Sequence, residues 1–152
     1  MNVLEDLERK YPELHFEICH LPCQLKGLTD GNYIYLSDTL DPKTLLQTAY
    51  EEVEHALLTA GDILDTKDIG NKKQEVKARD RGHQKLITLD GLIYCANHWF
   101  SADETADHFG VTVEYLYQAL GIWRQKKGLE FNWDSYHFDL SQSYDIKIKR
   151  YD

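Results

Sequence analysis

Pro42-Lys43-Thr44-Leu45-Leu46-Gln47-Thr48-Ala49-Tyr50-Glu51-Glu52-Val53-Glu54-His55-Ala56-Leu57-Leu58-Thr59-Ala60-Gly61 is the stretch from which the fold can be read. Leu45, Leu46, Ala49, Val53, Ala56, Leu57 and Ala60 recur at three- and four-residue intervals, the spacing of an amphipathic helix over 43–60. Asp38 or Asp41 can cap it, Pro42 suits its first turn, and Gly61 stops it. Residues four apart stand one above the other on a helix. Glu51 and His55 therefore share a face and can touch one metal ion, while Glu52 points about 100° round the helix.

Glu51-Glu52-x-x-His55 is one residue away from His-Glu-x-x-His, the helical zinc-protease signature. In that design the two outer residues bind metal. The glutamate between them takes a proton from the attacking water and passes it to the leaving amine. Catalytic zinc usually keeps three protein ligands, so a third must come from elsewhere. Glu75 lies early in a second long helix expected from about Lys72 to Thr88, where an antiparallel pair would bring it beside His55. His83, His98 and His108 are spare candidates, each more ordinary as a surface or core histidine. Two carboxylates and one imidazole suit manganese or iron(II) as well as zinc. They also lower the effective charge of the ion, which predicts slower hydrolysis or activity at higher pH. Read by spacing alone, the same residues are the solvated acidic face of an amphipathic helix.

Before this helix, Leu14 to Cys19 alternates like a half-buried strand, and Leu25 to Thr29 and Tyr33 to Leu36 read as two more. Asp30-Gly31-Asn32 is the turn between the last two. These predict a small antiparallel sheet near the N-terminus, after a short helix over residues 2–10 that carries Val3, Leu4 and Leu7. Residues 62–71 read as a polar loop. In the second long helix, Val76, Ala78, Leu86 and Ile87 should face inward. Asp90 and Gly91 punctuate the chain before an apolar helix from Leu92 to Trp99. Ser101-x-x-Glu104 is a capping box, and further helices are expected up to Phe109 and from Thr112 to about Lys127. From Leu129 an aromatic tail follows, open between a strand that joins the sheet, a partner-binding arm and a poorly ordered segment, and it could also cover the cleft.

At 152 residues the chain can bury a real core, and its 42% hydrophobic and 28% charged residues are ordinary for a globular protein. The net charge of −9 argues against a broad nucleic-acid footprint and suits a basic protein partner. No apolar stretch approaches a membrane span, and Met1 to Glu8 is acidic rather than signal-like, so the cytoplasm is expected. Cys19, Cys23 and Cys95 read as reduced thiols. Cys19-x-x-x-Cys23 has no second pair for a zinc ribbon, and Cys95 near His98 lacks the third group of a thiol nucleophile. Thr105 to Leu116 has the rhythm of a DNA-binding helix-turn-helix. Its second helix, however, begins Thr-Val-Glu-Tyr-Leu-Tyr, without the side chains that read base edges.

Three runs together carry a resemblance: Gln47 to His55, then Thr59-x-Gly61-Asp62-Ile63-Leu64-Asp65, then Asn71-Lys72-Lys73-Gln74-Glu75-x-Lys77-Ala78-Arg79. With Lys26-Gly27-Leu28, Tyr33 to Leu36 and Ser101 to Gly128, they make the chain resemble the ImmA/IrrE metallopeptidases over residues 2–128. The similar branch is the one carried by prophages and mobile elements of Gram-positive bacteria, with Glu-Glu-x-x-His as a variant. The resemblance implies an α+β fold with a zincin-like core, its small antiparallel sheet packed on a mainly helical bundle. It implies one domain over residues 1–128, with 129–152 as a tail. It also implies a zinc-dependent endopeptidase, with Glu51, His55 and Glu75 as metal ligands and Glu52 as general base. The implied substrate is a repressor of the helix-turn-helix type. A non-catalytic, antirepressor-like binding module on the same fold is the alternative. Two positions depart from the pattern: Glu51 replaces histidine, and Glu54 replaces a small glycine, where it either crowds the cleft or faces solvent.

Overall fold

The computed structural model describes residues 4–61, 71–142 and 145–151. The expected loop at 62–71 falls almost wholly outside them. The chain is α+β, and its contacts divide it into two compact units, Met1–Gly82 and His83–Asp152. No helix among the described residues is long and apolar enough to cross a membrane.

The first unit begins with α1 (Glu5–Lys10), whose Leu4 and Leu7 are buried. β1 (His15–Cys19), β2 (Gly27–Asp30) and β3 (Tyr33–Ser37) form one sheet in the order β1-β3-β2. β2 and β3 are the expected antiparallel hairpin, with Thr29 opposite Ile34. β1 instead runs parallel to β3, pairing Phe16 with Ile34 and Ile18 with Leu36. The sheet is therefore mixed, which corrects the antiparallel expectation. A parallel pair needs a crossover, and here the 3-10 turn at Pro22–Gln24 and β2 itself supply it. Local sequence signals cannot show this order, because each strand reads the same in either direction. The inner position of β3 accounts for its burial: Ile34 and Leu36 are fully enclosed.

The helix α2 (Pro42–Gly61) matches the period read from its sequence. The Asp41 carboxylate accepts hydrogen bonds from Thr44 at its start, which hold the Asp41 carboxyl below its ordinary range. Ala49, Val53 and Ala56 bury one face among Leu7, Leu14, Ile34 and Leu36. Each large aliphatic side chain buried there contributes roughly 1.5–3 kcal/mol. The same packing lays α2 across β2 and β3.

α3 runs from Asn71 to Leu86. Ala78 and Leu86 are buried as expected, but Val76 is 42% exposed and does not face inward. Close to α2, Gly82 sits where a β-carbon would meet the backbone of Tyr50 and Glu51 at 3.3 Å. This lack of a side chain lets the two helices approach each other.

In the second unit, α4 (Leu89–Asn97) starts three residues earlier than the sequence suggests, capped by the Thr88 hydroxyl. Gly91 is inside this helix, not a break in it. The Phe109 ring occupies the space a β-carbon would need, 2.6 Å away. α5 (Ala102–Phe109) carries the expected capping box between Ser101 and Glu104, and α6 (Val113–Lys127) is capped by Thr112. The described residues of 129–151 do not join the first sheet. They form a second antiparallel sheet in the order β4-β5-β6, of β4 (Glu130–Trp133), β5 (Tyr136–Asp139) and β6 (Lys147–Arg150). Phe138 and Leu140 are fully buried and Phe131 stacks on Phe138, while Trp133 and Tyr151 stay exposed.

Candidate metal centre

Glu51, His55 and Glu75 each offer a ligand atom, and the three atoms lie within 4.8 Å of one another. The first two come from successive turns of α2, as the helical spacing requires, and the third comes from α3. His55 Nε2 and Glu75 Oε2 are 3.4 Å apart. Two donors on one tetrahedral ion at ~2.1 Å would stand about 3.4 Å apart. That separation fits a shared ion directly. The Glu75 side chain is 60% exposed and that of His55 18%.

The electrostatics have the character of a cation site. Burial pushes the Glu51 carboxyl above its ordinary value, and the charges of Glu52 and Glu75 push it further, against His55 and Arg79. Burial likewise raises Glu52, opposed by a hydrogen bond from Thr29 and by His55. Three acidic side chains crowd one partly dry spot, and a divalent cation would relieve this crowding, because its own charge dominates the local field. A donor set of two carboxylates and one imidazole suits zinc, manganese or iron(II).

Glu52 is buried at 8% exposure and points toward β2, where the Thr29 hydroxyl stands 2.6 Å from its Oε1. The cleft here, about 340 Å³, is lined by Gly27, Leu28, Thr29, Glu52, His55 and Glu75 among others. Among the described residues β2 is an edge strand of its sheet, and Gly27, Leu28 and Thr29 on it border this cleft. Glu54 neither crowds the cleft nor faces solvent: it is 1% exposed, on the buried side of α2.

The spare candidates have other surroundings. His83 is buried, stacked on Tyr115 and within 3.2 Å of Gln118 Oε1. His98 stacks on Tyr94, with its Nδ1 2.8 Å from the Tyr94 carbonyl oxygen, and His108 stacks on the same tyrosine. Cys95 is buried, which raises its thiol pKa, and Thr105 is its hydrogen-bond partner. It has no histidine base. Among the described residues, no other group of three histidines, cysteines or acids has metal-ligand spacing. Thr29 and Gly82 escaped the sequence reading, since both act through contacts between elements and carry no local signal.

The fold and the site together define an α+β protein with a candidate divalent-metal centre on its long central helix. No model of a known protein family matches the chain, and comparison with curated proteins gives no match either.

Proposed function

We propose that the chain is a metal-dependent endopeptidase of the ImmA/IrrE kind, acting on a helix-turn-helix type repressor of a prophage or mobile element. The observation that carries this reading is the convergence of the Glu51, His55 and Glu75 ligand atoms, two of whose residues, His55 and Glu75, line one cleft with the buried Glu52. Glu51, His55 and Glu75 would hold the ion, zinc first, or manganese or iron(II). When bound, the ion would polarise the scissile carbonyl and make an attacking water more acidic. Glu52 takes the proton from that water and returns it to the departing amine. An extended peptide suits the edge of β2, which among the described residues is paired only with β3 and offers main-chain hydrogen bonds to a substrate strand. The net charge of −9 favours a basic partner, as a DNA-binding repressor is on its binding face.

The test is incubation of the metal-loaded chain with the repressor encoded beside it, against a Glu52→Gln variant. Cleavage by the parent and at least a hundredfold slower cleavage by the variant, roughly the effect of losing a general base, supports the peptidase. A second reading, a binder that does not cut, is favoured by the loss of one imidazole at Glu51. Stable complex formation without cleavage by either protein would establish it instead.

A further inference from the structure

We propose that Thr29 is a positioning residue that fixes the Glu52 carboxylate in the cleft, with Gly27 providing the clearance. The inference rests on the reading of Glu52 as the proton carrier and extends it to a second element of the fold. Thr29 lies on β2, remote in sequence from Glu52, yet its Oγ1 stands 2.6 Å from Glu52 Oε1 and 3.1 Å from the Glu52 main-chain oxygen. A hydroxyl has one proton to donate. The shorter contact to the carboxylate takes it, and the carbonyl forms the weaker arm of a shared bond. The hydroxyl is thus anchored at two points of the same residue, and it fixes both where that turn of α2 lies and where its side chain ends.

Two residues along the strand, Gly27 faces the same helix. A β-carbon there would lie 2.8 Å from Glu52 Cγ and 2.8 Å from Thr48 Cγ2. Since the two positions alternate with Leu28, they present the same face of β2 to α2. One removes bulk where the Glu52 stem passes, and the other holds the carboxyl end. Oε1 is thereby committed to Thr29. Oε2 has no other hydrogen-bond partner among the described residues and remains for a proton in transit. A glutamate stem has three rotatable bonds, and a proton carrier must be held near its reaction geometry to be effective. An edge strand that borders the cleft is well placed to do this.

The test uses the full chain with Thr29→Val, which keeps the shape and loses the hydroxyl, and Thr29→Ser, which keeps the hydroxyl. In the metal-free protein, urea midpoints are measured for Thr29→Val, Glu52→Ala and the double variant. The double variant should lose less than the sum of the two singles; strict additivity would overturn the contact. In the metal-loaded protein, with dye-labelled casein as the probe, Thr29→Val should lower kcat roughly tenfold at unchanged KM and unchanged bound metal. Thr29→Ser should recover most of that loss. Equal kcat for Thr29→Val and the parent would overturn the positioning role. A parent that binds metal and cleaves neither casein nor repressor, with the non-additivity intact, would remove the peptidase reading and leave Thr29 as the residue that holds Glu52.

Discussion

Gly82 on α3 lies against the backbone of Glu51 on α2, so closely that a β-carbon there would come within 3.3 Å of the Glu51 nitrogen. This approach sets the separation of the helices that carry the three candidate ligands. Gly82→Ala should force them apart by a few tenths of an ångström and spread Glu75 from Glu51 and His55. We expect zinc or manganese affinity to fall by roughly 10–100-fold, as for other changes to the supports of metal ligands. Titration calorimetry on the two proteins checks it, and an unchanged affinity would show that the close approach does not set the site.

The identity of the first ligand can be tested by putting back the imidazole. Glu51→His creates a donor set with more nitrogen and one fewer negative charge. Affinity for zinc should rise relative to manganese in competition experiments. A constant zinc-to-manganese ratio would mean that residue 51 does not touch the ion.

Burial holds the carboxyls of both Glu51 and Glu52 above the ordinary 4.5. Between that value and the raised ones, the folded chain binds more protons than the unfolded chain. Stability of the metal-free protein therefore falls as pH rises through this window, and the deficit persists above it. The melting temperature without metal should be higher near pH ~5 than near pH ~8. Glu51→Gln should flatten that slope, and saturating zinc should reverse it by favouring the ionised carboxylates. A metal-free melting temperature independent of pH over this range, in parent and variant alike, would contradict the assignment.

Trimming the chain after Gly128 would remove Phe138 and Leu140, which are fully buried. Losing a buried Phe side chain alone typically costs ~3–5 kcal/mol. The truncated protein should therefore lose cooperative unfolding of its second unit, and Phe138→Ala should destabilise it by about 3–5 kcal/mol in urea titrations. A truncated chain with unchanged stability would mean that the tail is a separable cover.

What the sequence made legible follows from the range of each interaction. The period of α2, the capping box at Ser101 and the capped start of α6 are local patterns, and each appears as read. Glu51 and His55 share a helix face for the same local reason. Glu75 reached the site through resemblance and helix pairing, since no spacing rule ties residues on different helices. The parallel pairing of β1 with β3 depends on chain path, which strand composition does not encode. The hairpin between β4 and β5 was hidden because its two turn residues, Asp134 and Ser135, both adopt positive φ without the glycine or asparagine that usually signals such a turn. Gly91 looked like a helix break and is a clearance for the Phe109 ring. Glu54, expected to crowd the cleft or face solvent, is enclosed, on a helix whose acidic residues are not all on the wet side.

The central claim is that one divalent ion is shared by two helices. Elemental analysis of the purified chain against a Glu75→Ala variant, each after exposure to zinc or manganese and removal of excess, tests it most directly. The account predicts about one ion per parent chain and loss of that ion in the variant. Metal absent from both proteins, or retained equally by both, would contradict it.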